Sequence, residues 1–355
     1  MGEPETLPPF NEAHHNLTEL FHAFNHTFSS CDLRLDDNIK RVCLFVLYLI
    51  IFVVGLVENL LVIWVNWQIR NHRNLVNLYI FNMAIADLGV ILSLPVWMLE
   101  AMLDYTWLWG DFLCRFTHYF YFANMYSSIF FLTCLSIDRY VSLTTSSHFW
   151  QQHQHLVRRI TCCCIWAFAA ILPLPEVVHM ELTDSIEPMC FFMPPSETFS
   201  EWTISLNLLL ALIGFLIPFS IMAIFNILTA RHIKRCDKPE NRKNCRLIYA
   251  YIIVFLISWL PFHLILLLFT LEGSNIFFHC YVLEFLYFFY DFIDCFSLAH
   301  CVVNPILYNF LSKNFQGKLI SAVVRYIPKD QMDQKNRDGS SSNTQHSIVI
   351  TQDKL

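Results

Sequence analysis

Residues 109–144 read WGDFLCRFTHYFYFANMYSSIFFLTCLSIDRYVSLT, and the two ends of this stretch carry different chemistry. Counted as a helix, Cys114 to Tyr140 rises about 39 Å at ~1.5 Å per residue. That exceeds a hydrocarbon core of ~30 Å. One segment can therefore present a thiol to one compartment and the group Asp138-Arg139-Tyr140 to the other. Between them, Asn124, Ser127 and Ser128 lie at mid-depth among aromatic and branched residues. A lipid-facing helix gains nothing from amides and hydroxyls there, whereas a helix surrounded by other helices gives them partners. The stretch reads as a buried crossing of a helical bundle.

Composition agrees. The chain has 355 residues, 55% hydrophobic and only 15% charged, against about 25% charged in an ordinary soluble domain. With a mean hydropathy of +0.45, it is expected to be a polytopic membrane protein. Apolar windows long enough to span fall at 42–69, 75–102, 112–144, 157–178, 202–232, 245–271 and 282–310. Their odd number puts the termini on opposite sides. Arg70, Arg73, Arg158, Arg159, the run from Arg231 to Arg246, and Lys313, Lys318, Arg325 and Lys329 all fall on one face, which the inside-positive bias makes cytoplasmic. The other face, with Asp104, Asp111, Glu181, Asp184, Glu187, Glu197, Glu201, Glu272 and Glu284, is acidic and external. The N-terminus lies there too, where the sequons at Asn16 and Asn25 can be glycosylated. Met1 leads into an acidic segment with no apolar core, so no cleavable leader is expected. The default destination is the plasma membrane, multi-pass, or an endosomal membrane.

The organisation read from this pattern is an extracellular arm over 1–40, a bundle over 41–311, an amphipathic segment over 312–326 and a cytoplasmic tail over 327–355. The arm is acidic and suits steering of a basic partner. In the first span, Asn59 and Glu58 need partners inside the membrane, Glu58 by facing protein or holding a proton. Asp87, in the second, is the strongest anomaly of the chain, because a mid-span carboxylate requires a cation, a proton or hydrogen bonds. It reads either as a protonated carboxyl in a polar layer or as part of a water or sodium pocket with Asn124, Ser128 and Asn304. Pro95 bends the outer second span near Trp97, and Pro261, two residues beyond Trp259, provides a hinge in the sixth.

Cys31, Cys114, Cys190 and Cys280 all fall in the outer compartment, with Cys114/Cys190 and Cys31/Cys280 as available pairs; connectivity stays open at this level. In the seventh span, Glu284, Asp291 and Asp294 are spaced seven and three apart, so they descend one face from the rim. Three such carboxylates make poor lipid-facing surface and read as an acidic pocket for a cationic ligand. Below them, Asn304 can reach Asp87, and Asn304-Pro305 frees a carbonyl near Tyr308. The segment 312–326 alternates apolar and basic residues as a helix lying on the inner leaflet does. The hydroxyls of the tail, such as Ser340 and Thr344, are available to kinases.

The ordered set Asn59, Asp87, Cys114 with Cys190, Asp138-Arg139-Tyr140, Trp166, Pro218, Trp259-Leu260-Pro261 and Asn304-Pro305 to Tyr308 resembles the rhodopsin-like (class A) seven-helix receptors over about residues 40–326. Within that class, the Cys31/Cys280 pair, Trp97 in SLPVW, Asn124, Asp294 and AHCVVNPILYNF resemble the chemokine receptors. The resemblance implies an all-α, seven-transmembrane-helix bundle with a cytoplasmic amphipathic eighth helix and an extracellular loop 2 hairpin. It also implies that the acidic arm meets a secreted basic chemokine, whose ammonium end enters a pocket of Trp97, Tyr121, Asp291 and Asp294, with Glu284 at its rim. Asp138, Arg139, Tyr140, Trp259, Pro261, Asn304, Pro305 and Tyr308 would then carry activation and coupling.

Three departures stand out. The chain reads DRYVSLTTS after Asp138, Asn226 stands where the class commonly keeps a Tyr that meets Arg139, and Ser258 replaces the usual Cys. These changes resemble the atypical members of the group, which bind and internalise chemokines with little or no G-protein output, with arrestin and receptor kinases as partners. The alternative is a conventional Gi-coupled chemokine or peptide receptor. No internal repeat supports a transporter. No nucleophilic arrangement supports an enzyme, and no spacing supports a metal other than sodium. The basic inner loops are accounted for by topology, so no nucleic acid is expected.

Overall fold

A computed structural model describes residues 36–68, 77–145, 147–183, 186–234, 239–273 and 280–307. Seven helical segments are long and apolar enough to cross a membrane: Asp37–Trp67, Leu78–Met102, Gly110–Thr144, Gln152–Val177, Ser196–Lys234, Tyr249–Leu271 and Tyr281–Pro305. Each of the seven expected windows falls on one of them, and the fold is the expected all-α bundle. The third span is central, with 61% of its apolar window buried against 22% of the first. Its buried face carries Asn124, Ser127, Ser128, Ser136 and Asp138 among Tyr121, Met125, Ile129 and Leu135, which is the enclosure its mid-depth polar residues required.

The first helix begins earlier than the sequence pattern implied. Its cap is Asp36, whose Oδ1 accepts the backbone N–H groups of Asn38 at 3.0 Å and Ile39 at 3.2 Å, satisfying donors that have no partner within the helix. Lys40 and Arg41 are therefore helical, at the outer rim of the first span.

Two further departures concern backbone hydrogen bonding. The fifth span contains a π-helical stretch over Leu210–Leu216, where the N–H of Ile217 reaches back five residues to Leu212 O. Pro218 follows; its ring conflicts with the carbonyl of Gly214 four residues back, and the wider turn relieves that conflict. The seventh span is two helices, Cys280–Ser297 and His300–Pro305. Between them Leu298, Ala299, Cys301 and Val302 bond to the third residue back, at 3.0–3.2 Å. The Ser297 hydroxyl donates to Asp294 O at 2.7 Å, and His300 Nδ1 lies 2.7 Å from Ser297 O, so side chains take carbonyls that a regular helix would use.

Outside the membrane, β1 (Met180–Leu182) pairs antiparallel with β2 (Cys190–Phe192), the expected hairpin. A Cys114–Cys190 disulfide ties it to the head of the third span. Trp107, 1% exposed, plugs the space below, its N–H donating to Pro188 O at 2.6 Å and its indole to Gly110 O at 3.0 Å. Gly110 has φ +78°, a conformation that costs a side chain but not a glycine. Cys31, Asn16, Asn25, Tyr308, the segment 312–326 and the tail 327–355 lie outside the described residues, as does the side chain of Cys280, and with it the Cys31/Cys280 pairing.

Candidate functional site

At the outer end, the second, third and seventh spans bring aromatic and acidic side chains together. The Trp97 ring meets Tyr121 edge-on at 5.9 Å and His118 at 4.7 Å, and its indole donates to the Ser93 hydroxyl at 3.3 Å. Tyr121 lies within the field of Asp294, as do Tyr48 from the first span and Tyr290 from the seventh. Asp294 has no hydrogen-bond or ion-pair partner for its carboxylate among the described residues.

Asp291, three residues outward, is different. Its Oδ2 accepts from Lys40 Nζ at 2.6 Å and from the Tyr105 hydroxyl at 2.5 Å. The Tyr105 ring is partly exposed, but its hydroxyl end is enclosed. That burial first, then the Asp291 charge, push the phenol above its ordinary range, so it stays a donor. Glu284, seven residues out from Asp291 and about 10 Å along the axis, has Oε2 buried without a partner among the described residues. The sequence reading missed Glu100, 8% exposed and within the field of Asp291. The signal was present: a carboxylate near one turn past Trp97 on a span that already carries Asp87.

At mid-depth, Asp87 is fully enclosed. It accepts from the Ser128 hydroxyl, and from Asn304 Nδ2 at 3.5 Å. His300 Nε2 lies 3.9 Å from Asp87 Oδ1. Asn124, expected in the same pocket, instead donates to Phe120 O at 2.7 Å and packs on Gly89, where an added Cβ would fall 2.3 Å from its Oδ1. A cavity of about 10 Å³, room for one water-sized sphere, is lined by Ser128, Trp259, His300 and Asn304 among others. Asp87 is not among the residues lining this cavity; a His300 ring nitrogen and the Cys301 thiol lie within 4.8 Å of its carboxylate. Asn59 bridges Gly55 O and Cys301 O, both at 2.9 Å, tying the first span to the seventh. Glu58 beside it is half-buried, with Oε2 enclosed and unpartnered among the described residues. Trp259 is buried among Phe255, Phe262, His263 and His300, two residues from Pro261, which lies inside a continuous helix.

At the inner end, Asp138 does not pair with its neighbour. Both its oxygens accept from Arg158 of the fourth span, at 2.7 and 2.8 Å, and Arg158 also donates to Ser142 at 2.9 Å. In the sequence alone Arg158 reads only as a topology marker. The Arg139 guanidinium lies 5.0 Å from the centre of the Tyr251 ring, and the Tyr251 hydroxyl donates to Leu307 O at 3.1 Å. Asn226 donates to the Ser136 hydroxyl at 3.1 Å. Tyr140 packs edge-on against Phe225 at 5.6 Å.

Residues 58–308 match the family model described as 7 transmembrane receptor (rhodopsin family). The chain is 60% identical over 338 residues to G-protein coupled receptor 182 of Homo sapiens, covering 95% of this chain and 84% of that one. The same receptor of Rattus norvegicus is 59% identical over 351 residues, covering 98% and 89%. Atypical chemokine receptor 3 of Homo sapiens is 35% identical over 318 residues, covering 87% and 88%. With seven spans, this family match and these relatives, the chain belongs to the rhodopsin family of seven-transmembrane receptors, in its chemokine-receptor-like branch, a family of receptors rather than enzymes.

Proposed function

We propose that this receptor sits in the plasma membrane, captures a secreted basic chemokine and carries it into endosomes with little or no G-protein output. The observation that carries the reading is Asp294, a carboxylate toward the outer end of the seventh span whose field reaches Tyr48, Tyr121 and Tyr290 and which has no partner of its own among the described residues. A carboxylate left without a cation inside a bundle is costly, and a peptide ammonium supplies what it lacks through a charge-assisted hydrogen bond. The acidic arm, glycosylated at Asn16 and Asn25, steers the basic body of the ligand. Trp97, Tyr121 and the buried Glu100 line the path.

Weak coupling is supported at the inner end. Tyr251 engages Arg139, and Asn226 is spent on Ser136 rather than reaching toward that arginine. Arrestin and receptor kinases acting on the tail then take the place of a G protein. Asp87, Ser128 and Asn304 hold a sodium ion that stabilises the resting bundle. Uptake of labelled basic chemokines by cells carrying Asp294→Asn tests the pocket: the reading requires a large loss, and undiminished uptake rejects it.

The second reading, a conventional Gi-coupled receptor, is favoured by one observation. Arg139 is intact and Asp138 is committed to Arg158, so no ion pair with its neighbour holds Arg139 back. Robust nucleotide exchange in a cyclic-AMP and calcium assay against a chemokine panel would select it.

A further inference from the structure

The outer cup contains a cation of its own. Lys40 reaches from the first span to Asp291 on the seventh, and its side chain is only 12% exposed. Its ammonium lies 5.4 Å from the centre of the Phe288 ring and 5.9 Å from that of Tyr105, within the range of cation–π attraction. Beside it, Arg41 holds Asp104 at 2.9 Å. Asp104 and Tyr105 both adopt left-handed backbone, φ 57° and 63°. Residues other than glycine persist there only where their surroundings fix them, and the Arg41 pair and the Tyr105 bond to Asp291 do so. Lys40 is a seated plug, not a free arm.

We propose that Lys40 is a specificity-determining residue: it withholds Asp291, so a peptide end that places one cation at Asp294 gains nothing from Asp291 with a second. The inference rests on Asp294 as the acceptor for the ligand. Asp291 stands three residues outward, about 4.5 Å along the axis, a distance an extended peptide covers in one to two residues at ~3.3 Å each. The side chain following the ligand's ammonium therefore passes the Lys40–Asp291 pair. A lysine or arginine there meets a carboxylate already neutralised, while an uncharged side chain gives up nothing.

The test uses purified full-length receptor and two simple probes, butylammonium and butane-1,4-diammonium, each titrated against the thermal unfolding midpoint, which rises by mass action when a ligand binds. The wild type responds to both at similar concentrations. Lys40→Met and Lys40→Gln leave Asp291 charged with only the Tyr105 hydroxyl on it, and respond to the diammonium at roughly tenfold lower concentration than to the monoammonium, in line with one added charge-assisted hydrogen bond. Lys40→Arg keeps the wild-type pattern, and Lys40→Met/Asp291→Asn loses the preference. A wild-type receptor that already prefers the diammonium tenfold, or Lys40 variants with an unchanged ratio, overturns the proposal. Asp294→Asn reports separately on the underlying reading: if it leaves the response to the monoammonium intact, Asp294 is not the acceptor, whatever the ratio at Lys40.

Discussion

The deepest carboxylates at the two ends of the bundle are treated in opposite ways, Asp138 paired and Asp294 left without a partner among the described residues. Inside, Asp138 is held by two bonds from Arg158, and Asp87 accepts from Ser128 and Asn304. Outside, Asp294 has no partner among the described residues, and Glu284 keeps an oxygen enclosed and unmet. Burial alone does not separate the two halves, since Asp138 and Glu100 are both buried. The supply of donors does. A carboxylate that the fold satisfies is part of the scaffold; Asp294, which it leaves unmet, is the one we assign to something arriving from solution.

That contrast can be broken first at Arg158. Arg158→Met strands the Asp138 charge inside the protein, and loss of one member of a buried pair costs about 3–5 kcal/mol. The unfolding midpoint of the purified receptor should fall sharply, and Arg158→Met/Asp138→Leu should recover most of the loss. Next comes Asp294→Asn, which should weaken chemokine binding by roughly 10- to 100-fold, the worth of a bond to a charged group, without lowering the midpoint. A midpoint that fell as it does for Arg158→Met would place Asp294 with the scaffold and erase the contrast. Tyr251→Phe removes the bond to Leu307 O and should cost about 1 kcal/mol, read as a small midpoint shift with a rise in basal nucleotide exchange. The smallest effect is at Asp87. Replacing choline by sodium at physiological strength should stabilise the wild type by about 1 kcal/mol or less, and Asp87→Asn should abolish the difference.

Much of this architecture was legible in the residues themselves. Spans follow from apolar runs because each must satisfy its backbone inside lipid, and Asp87, Asp138 and Asp294 announce themselves as charges where charge is costly. The partners were harder to see. Arg158 looked like a member of an inner basic belt and Lys40, at the end of the arm, drew no reading at all, because pairing across the bundle depends on how helices lean together. Their own neighbours do not encode it. The break after Ser297 was equally hidden: it turns on which of two donors wins a carbonyl, a competition of about 1 kcal/mol that periodicity does not register.

The interruption at Leu298–Ala299 separates Asp294 from Asn304 on what would otherwise be a single rigid rod. The two segments need not move as one, so Asn304 can keep its bond to Asp87 while the segment carrying Asp294 tilts.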